Sequence, residues 1–423
     1  MRTLKEFYEL MEHTRDVRAA MVRSYVDTRT VEAGKLAELE RALATLESIP
    51  AANGRRQLML DASKQIDVEL DYEIGELKKD LVFFQQGEAA FDLYLAGLHD
   101  QFERRVIDAL VALEGIHFNN FVTDRDGTIS NYCGRYRSSI QSAYNAVYLT
   151  RFSRARANSA TVVTSAPLLN PGVADVSVMP VGAYIYAASK AREFIDKEGV
   201  RRTFPIEAAQ QAKLDELNRR LAALVARPEY EKFSLIGSGL QFKFGETTLA
   251  RQDISKSIPE EESLAFLEVV RGIMKEVDPG GTDFGLVDMK LDIEIILKGA
   301  SEGEFSKADG LYFLDRELGL GLDQGPTLVC GDTKGDLPLV KACMAKSKDV
   351  WAMFVTRDEA LMKQVRETCP NAIIVPEVDV LVTVLNRLAT RQQRVRPAGF
   401  KCAIFDLDGV VTETAKVHSA AWK

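Results

Sequence analysis

The sequence predicts an α/β protein: an open, largely parallel sheet with an inserted α/β domain, preceded by an all-α helical hairpin or bundle. Three observations carry this reading. Residues 1 to about 115 contain a single proline, Pro50, and space their apolar residues at threes and fours. From about 116 the pattern changes to short apolar runs separated by helices and glycines, as alternating strands and helices require. Two of those runs, 121–123 and 327–330, end in acids, and open α/β sheets bind ligands at the carboxyl ends of their strands.

The chain has 423 residues, 46% hydrophobic and 27% charged, which suffices for two or three domains with real cores. A formal charge of -8 leaves no global basic field, so nucleic acid is not an expected partner. Arg201 and Arg202 read as solvated surface. Five cysteines with no C-x-x-C pair indicate a reducing compartment, and the four histidines lack zinc-motif spacing. The opening 1–6 lacks the apolar core of a signal peptide, and no uncharged apolar run approaches membrane-spanning length. The expected location is cytoplasmic, with no membrane partner.

The first 115 residues are expected to be helical apart from breaks near Thr28 and at 50–54. Leu36, Leu39, Leu43 and Leu46 form one stripe. Leu70, Ile74, Leu77, Leu81 and Phe84, then Phe91, Leu95, Leu98 and Phe102, follow a three-four alternation suited to coiled-coil packing of long antiparallel arms. This surface can serve a protein partner or self-association. Its evenly charged exterior predicts a positioning module, so that a chain starting near Gly115 keeps much of its turnover if it stays soluble.

At the head of the α/β region stands Asp124-Arg125-Asp126-Gly127-Thr128. Two carboxylates sit two residues apart at a strand end, and Gly127 turns the backbone away. Taken alone, the pentapeptide also fits an acidic turn after a strand. An Asp so placed can attack phosphorus and form an aspartyl-phosphate, while a second acid protonates the leaving alcohol and then activates water. Carboxylates facing a phosphate need a cation, and Mg²⁺ takes carboxylate and phosphate oxygens. A calcium loop counted from Asp124 fails, because Ile129 and Arg135 stand where Gly and Glu are needed. No Cys is followed six residues later by Arg, and no G-K-[ST] phosphate loop occurs.

Further elements follow in order. The run 161–167 is a strand ending in Thr164 and Ser165, and 184–186 a further short strand. A helix over 207–226, a hairpin over 233–249 around Gly237 and Gly239, a helix over 260–276 and a strand over 288–298 make up the inserted α/β domain. Ser306 opens a helix through Leu318 that carries Lys307 at its start, where it can supply a fixed cation. The parent sheet resumes at 327–331, followed by Asp332 and Asp336, whose spacing returns both to one side of a tight loop or first helical turn. Strands over 350–355 and 372–375 and a helix over 377–390 close it.

Asp124-Arg125-Asp126-Gly127-Thr128, Thr164, Lys307 and Gly331-Asp332 with Asp336, in that order, resemble the haloacid dehalogenase superfamily of phosphotransferases. The long insert between the second and third motifs is similar to members with a large α/β cap there. Residues 124–166, the cap stretch Gly237 to Lys243 with Ala250-Arg251-Gln252, and the helical front look like the trehalose-6-phosphate phosphatase family. The resemblance implies a Rossmann-like core, with Asp124 as nucleophile and Asp126 as general acid/base. It implies Thr164 and Lys307 as phosphate binders, Lys243, Arg251 and Glu294 as sugar binders, and Mg²⁺ held among Asp124, Asp126, Asp332 and Asp336. Ala308 stands where the family often has Gly, which keeps Lys298 as an alternative to Lys307. Gln241 stands where many members carry the Glu of an E-x-K motif.

The implied domains are 1–115 (helical), 116–205 with 300–392 (core), 206–299 (cap) and 393–423. That last segment contains Asp406-Leu407-Asp408-Gly409 and resembles the truncated opening of a β-phosphoglucomutase-like domain. The implied function is Mg²⁺-dependent hydrolysis of trehalose 6-phosphate. The alternatives are another sugar phosphate, such as that of sucrose or mannosylglycerate, and a regulatory scaffold with a weak phosphatase core.

Overall fold

Residues 1–61, 64–298 and 305–390 are described by the computed structural model. The motif around Asp406 and Asp408 lies outside the described residues. In the helical region, α1 (Leu4–Thr28) and α2 (Ala33–Glu47) lead to three short strands, β1 (Ala51–Ala52), β2 (Arg55–Met59) and β3 (Gln65–Val68). Helices α3 (Asp71–Gln86), α4 (Glu88–Leu98) and α5 (Phe102–Leu113) complete it. The core opens with β4 (Phe118–Thr123), α6 (Ala143–Arg156), β5 (Ala157–Val163), α7 (Val173–Val176), β6 (Ile185–Ala188), β7 (Glu193–Ile195) and β8 (Arg201–Thr203). The cap holds α8 (Ala208–Val225), α9 (Lys232–Leu235), β9 (Leu240–Lys243), β10 (Glu246–Ala250), α10 (Glu260–Val277), β11 (Phe284–Asp288) and β12 (Asp292–Leu297). The core then resumes with α11 (Lys307–Leu318), β13 (Thr327–Gly331), α12 (Leu337–Lys346), β14 (Val350–Val355), α13 (Glu359–Thr368), β15 (Asn371–Val375) and α14 (Val378–Thr390).

The core sheet has the order β15-β14-β13-β4-β5-β6-β7-β8, parallel from β15 to β6 and antiparallel beyond. From β4 the chain moves outward to β5 and β6, then returns on the other side through β13, β14 and β15. The carboxyl end of β4 is therefore the topological switch point.

Two expectations for the helical region are corrected. Residues 51–52, 55–59 and 65–68 form strands, not helix: Asn53 and Gly54 both have positive φ, 52° and 77°, and join β1 to β2. Asn-Gly is the pair that such a turn favours. Leu58, Leu60, Ile66 and Val68 then alternate inward. The long arms are also interrupted, at Gly87 (φ 83°) and Gln101 (φ 55°), which separate α3, α4 and α5.

In α1, Thr3 and Glu6 close a capping box, and Leu4, Phe7, Met11, Met21 and Val22 fall on one buried face. That face and α3 rest on α6, whose residues are buried without a break from Ala143 to Ser153. A helix buried all round needs cover on every side. Here the sheet and α14 supply one part and the helical region the other. Arg18 and Asp80, both fully buried, pair at 2.7 Å, and Asp80 also accepts from the Tyr144 amide at 3.0 Å.

The cap is a four-stranded antiparallel sheet, β11-β12-β10-β9, with α8 and α10. It has one strand, β11, that the sequence pattern did not suggest. The hairpin tip is Phe244-Gly245 (Gly245 φ 77°) rather than the Gly237 to Gly239 stretch, which follows the short α9.

Candidate active site

Asp124 is the first residue beyond β4, and its amide donates to the Cys330 carbonyl at 3.0 Å, so β13 fixes its backbone. The loop that follows folds around the Arg125 carbonyl, which accepts from the amides of Thr128, Ile129 and Ser130 at 3.2, 3.0 and 3.0 Å. Gly127 is required here twice over. Its φ is 86°, and a Cβ on it would stand 2.2 Å from Asp332 Oδ2. Thr128 Oγ1 donates to Asp124 Oδ2 at 3.2 Å and reaches Asp332 Oδ1 at 3.4 Å.

Lys307 arrives from the other end of the chain. Ser306 caps α11 through a reciprocal bond with Asp309, which makes Lys307 its first residue. Its buried ammonium donates to Asp124 Oδ1 at 2.6 Å and to Asp336 Oδ1 at 2.7 Å. Ala308 does not disturb this. The alternative, Lys298, sits on the cap and donates to the Gly281 carbonyl at 2.6 Å. One turn along α11, Gly310 lies directly against residues 189–191, because a Cβ on it would stand 2.0 Å from the Lys190 carbonyl oxygen.

Asp336 is fully buried and uses both oxygens: Oδ2 accepts from the Asp332 amide at 3.1 Å and the Thr333 amide at 3.0 Å. Burial pushes its carboxyl up, but the Lys307 charge, the Lys307 hydrogen bond and the Thr333 and Asp332 amides together outweigh burial and hold it below the usual range. At Asp332 the pull of Lys307 is too small to compensate. Burial, then the charges of Asp124 and Asp336, raise it to about 8. Asp124 is raised to about 6 by burial against the pull of Lys307. One oxygen each from Asp124, Asp332 and Asp336 lies within 4.8 Å of the others. Three carboxylates against one lysine leave surplus negative charge at a site of hard oxygen donors, which fits a divalent cation.

Asp126 stands outside that trio. Its side chain is 26% exposed and is gripped by the buried Arg125 guanidinium. Arg125 also donates to the Ser139 carbonyl and stacks 5.9 Å from the Tyr136 ring centroid. Thr164 is the first residue beyond the neighbouring strand β5; its Oγ1 accepts from the Ala166 amide at 3.1 Å, which leaves its hydroxyl proton to donate.

The cap turns a polar sheet face toward this site. In register, Lys243 opposes Glu246, Thr248 opposes Gln241 and Glu294, and Ala250 opposes Asp292. The other face, with Leu249, Ile293 and Ile295, is buried as apolar core. Lys243 Nζ lies 2.6 Å from Glu246 Oε1. Burial and then Glu246 raise the Glu294 carboxyl, while Lys243 and Lys190 pull it down. The hairpin tip docks on the core, where the Phe244 amide donates to Ser189 Oγ at 2.9 Å. Tyr132, 72% exposed, feels the charges of Asp126 and Asp332 of the core and of Asp292 of the cap.

Arg251 does not join Lys243 and Glu294. It follows Ala250 on the opposite parity, and its guanidinium is taken by Asp288 at 2.8 Å and Ser263 at 2.7 Å. It braces β10 against α10. A cavity of about 1280 Å³ opens elsewhere around Phe204, Phe244 and Phe313 and is lined by none of the clustered acids. Sequence reasoning gave no role to Arg125 or Glu246. An arginine flanked by both motif acids, and a glutamate directly across a two-residue turn from Lys243, were the available signals.

Comparison with known proteins matches residues 121–381 to the family described as "Trehalose-6-phosphate phosphatase, C-terminal". Residues 3–98 match "Trehalose-6-phosphate phosphatase N-terminal helical bundle domain". Among curated relatives, an "Alpha,alpha-trehalose-phosphate synthase [UDP-forming] 2" of Caenorhabditis elegans is 34% identical over 388 residues, covering 87% of this chain but 32% of that protein. The chain thus spans about a third of the length of such relatives. A "Trehalose-phosphatase" of Caenorhabditis elegans is 31% identical over 263 residues, 60% of this chain and 57% of that one. A "Trehalose-phosphatase" of Brugia malayi is 26% identical over 418 residues, 88% and 85% of the two chains. With both halves matched in the order that the fold displays, the chain belongs to the trehalose-6-phosphate phosphatase family.

Proposed function

We propose that this chain hydrolyses trehalose 6-phosphate to trehalose and phosphate. The observation that carries the reading is the buried contact of Lys307 with Asp124 and Asp336, beneath a polar cap face bearing Lys243 and Glu294. An Asp at a strand end beside a fixed cation is a nucleophile aimed outward, and a phosphatase core by itself reads only the phosphoryl group.

In this reading Asp124 attacks phosphorus and forms an aspartyl-phosphate, while Asp126 gives its proton to the departing sugar oxygen. Asp126 then takes a proton from water, which attacks phosphorus and returns Asp124. Lys307 and Thr164 bind the phosphoryl oxygens, and Arg125 holds Asp126 at the edge of the cleft. Asp124 and Asp332, with Asp336 and Asp126 nearby, would hold Mg²⁺, which neutralises phosphate charge when bound. Lys243 and Glu294 read the sugar hydroxyls. Among the described residues no helix is long and apolar enough to cross a membrane.

The test is phosphate release by the full chain with Mg²⁺ over trehalose 6-phosphate, sucrose 6-phosphate, a mannosylglycerate phosphate, glucose 6-phosphate and p-nitrophenyl phosphate. Strong preference for trehalose 6-phosphate is expected. Preference for another sugar phosphate, or no discrimination, would overturn the substrate; no hydrolysis of any would overturn the chemistry.

A further inference from the structure

The start of α1 reaches two bodies at once. Tyr8 is buried, and its hydroxyl donates to the Leu235 carbonyl of the cap helix α9 at 2.6 Å. One turn earlier, Lys5 Nζ lies 2.6 Å from Glu231 Oε1, beside the same cap helix. On the core side, Arg137 stacks 4.9 Å from the Tyr8 ring centroid and pairs with Glu12 at 2.7 Å. Arg135 lies 5.8 Å from the Phe7 ring centroid and donates to the Glu69 carbonyl.

Those arginines belong to the segment that follows the Asp124 loop and supports it. Arg125, which grips Asp126, donates to the Ser139 carbonyl in that segment, and Tyr72 of α3 donates to the Ile140 carbonyl at 2.9 Å. The cap touches the segment as well, since a Cβ on Gly134 would stand 3.4 Å from Ile254 Cδ1. Among the described residues, the cap's anchors thus include its hairpin tip on Ser189 and its base on Tyr8.

We infer that Tyr8 is a positioning residue for the sugar-reading cap, so that the helical domain sets how Lys243 and Glu294 are presented over Asp124. A buried hydroxyl bound to a carbonyl is directional and leaves that carbonyl unpaired if removed. The Lys5–Glu231 pair is exposed and adds little by itself. Because a small aryl phosphate needs no sugar contacts, loss of the Tyr8 bond acts on the sugar substrate and spares the generic one.

The test uses the full chain carrying Tyr8→Phe, which keeps the ring against Arg137 and removes only the hydroxyl. Expected is a several-fold rise in KM for trehalose 6-phosphate, with p-nitrophenyl phosphate turnover within twofold of the parent, and faster amide exchange across 232–250. The catalytic arm rests on the proposed substrate; the exchange arm does not. A parent that fails on trehalose 6-phosphate therefore sinks that substrate and leaves exchange alone to decide Tyr8. Unchanged exchange across the cap, or equal losses on both substrates, overturns the inference. If Tyr8→Phe does not fold, Lys5→Glu, which sets a like charge against Glu231 at the same cap helix and should speed exchange across 232–250, and the double Lys5→Glu/Glu231→Lys, which removes that repulsion, replace it; unchanged exchange in Lys5→Glu overturns the inference. Failure of the double exchange to restore cap protection overturns the inference in the same way.

Discussion

Lys307 Nζ lies 2.6 Å from Asp124 Oδ1, across 183 residues of sequence and the whole cap. The contact is possible because β4 and β13 are neighbours and α11 begins at their shared carboxyl edge. Lys307 is the cation that lets Asp124 and Asp336 share a buried site, and in the proposed reaction it also faces the phosphoryl group. Lys307→Ala should therefore lower kcat on the order of 100-fold or more, the scale of removing one fixed electrostatic donor. Lys307→Arg should not rescue it, since a planar guanidinium cannot replace a compact ammonium between two carboxylates. Asp124→Asn should abolish turnover with the fold intact. Steady-state phosphate release beside thermal melting checks all three, and a Lys307→Ala enzyme with parental kcat would remove the lysine from the chemistry.

Much of this site was legible because each member of the Asp124, Thr164 and Asp332 set closes a short apolar run, and runs of that kind become neighbouring parallel strands. Lys307 was legible only through the order of motifs, since a lysine opening a helix is usually solvated. Arg251 was grouped with Lys243 and Glu294 because sequence alone gives no register. With the turn at Phe244-Gly245, Lys243 and Glu246 share a face, and Arg251 falls on the other one with Asp288 and Ser263. The hairpin at 51–68 was lost because apolar residues near it fit a helical stripe, although Asn53-Gly54 announced the turn. What no local pattern contains is α6, whose buried polar and apolar sides make sense only once the helical region covers it.

That cover bears on the separability of the helical domain. Phe83 is fully buried, with ring centroids 5.4 Å from Phe91 and 5.6 Å from Tyr148 of α6. A chain beginning near Gly115 would expose this side of α6 together with the unpaired ends of several buried ion pairs. It should be aggregated or loosely packed, contrary to the expectation from surface charge alone. The milder Phe83→Ala should cost about 3–5 kcal/mol in denaturant unfolding of the full chain. A soluble 115–390 chain with a cooperative melt would show that the helical region is a detachable module after all.

Asp379 of α14 sits at the centre of a network joining the two regions. It accepts from Lys79 at 2.8 Å, His99 at 2.6 Å and Tyr144 at 2.5 Å. Burial pushes its carboxyl up, but Lys79 and the hydrogen bonds from His99, Lys79 and Tyr144 win and hold it well below the usual range. A depressed folded-state pKa gives stability that is present above the unfolded value, about 4, and is lost as pH falls through the folded one. Asp379→Asn should lose on the order of 3–5 kcal/mol at pH 7, as when one member of a buried pair is removed. Its stability should then fall less steeply than the parent's between about pH 4 and pH 2. Denaturant unfolding at several pH values measures both, and parallel acid limbs for the two proteins would exclude Asp379 as a source of the slope.

In the proposed reaction, sugar discrimination would rest on the polar cap face. Lys243 and Glu294 share that face with Glu246, Thr248, Gln241 and Asp292. A site built to hydrogen-bond hydroxyls rejects analogues that leave its polar groups unpaired, so these residues should count only when a sugar is present. Lys243→Ala or Glu294→Ala should lower kcat/KM for trehalose 6-phosphate about tenfold or more, equivalent to about 1.4 kcal/mol. Hydrolysis of p-nitrophenyl phosphate should change little. Lys243→Ala also strips Glu246 of its partner at 2.6 Å, so a Lys243→Ala/Glu246→Gln protein separates lost sugar contact from a newly unpaired carboxylate. If the double variant regains trehalose 6-phosphate activity, Lys243 serves only to neutralise Glu246. Arg251→Ala supplies the contrast: lacking a place on this face, it should lower the melting temperature and both activities together. A selective loss on the sugar substrate in that variant would put Arg251 back among the groups that contact substrate.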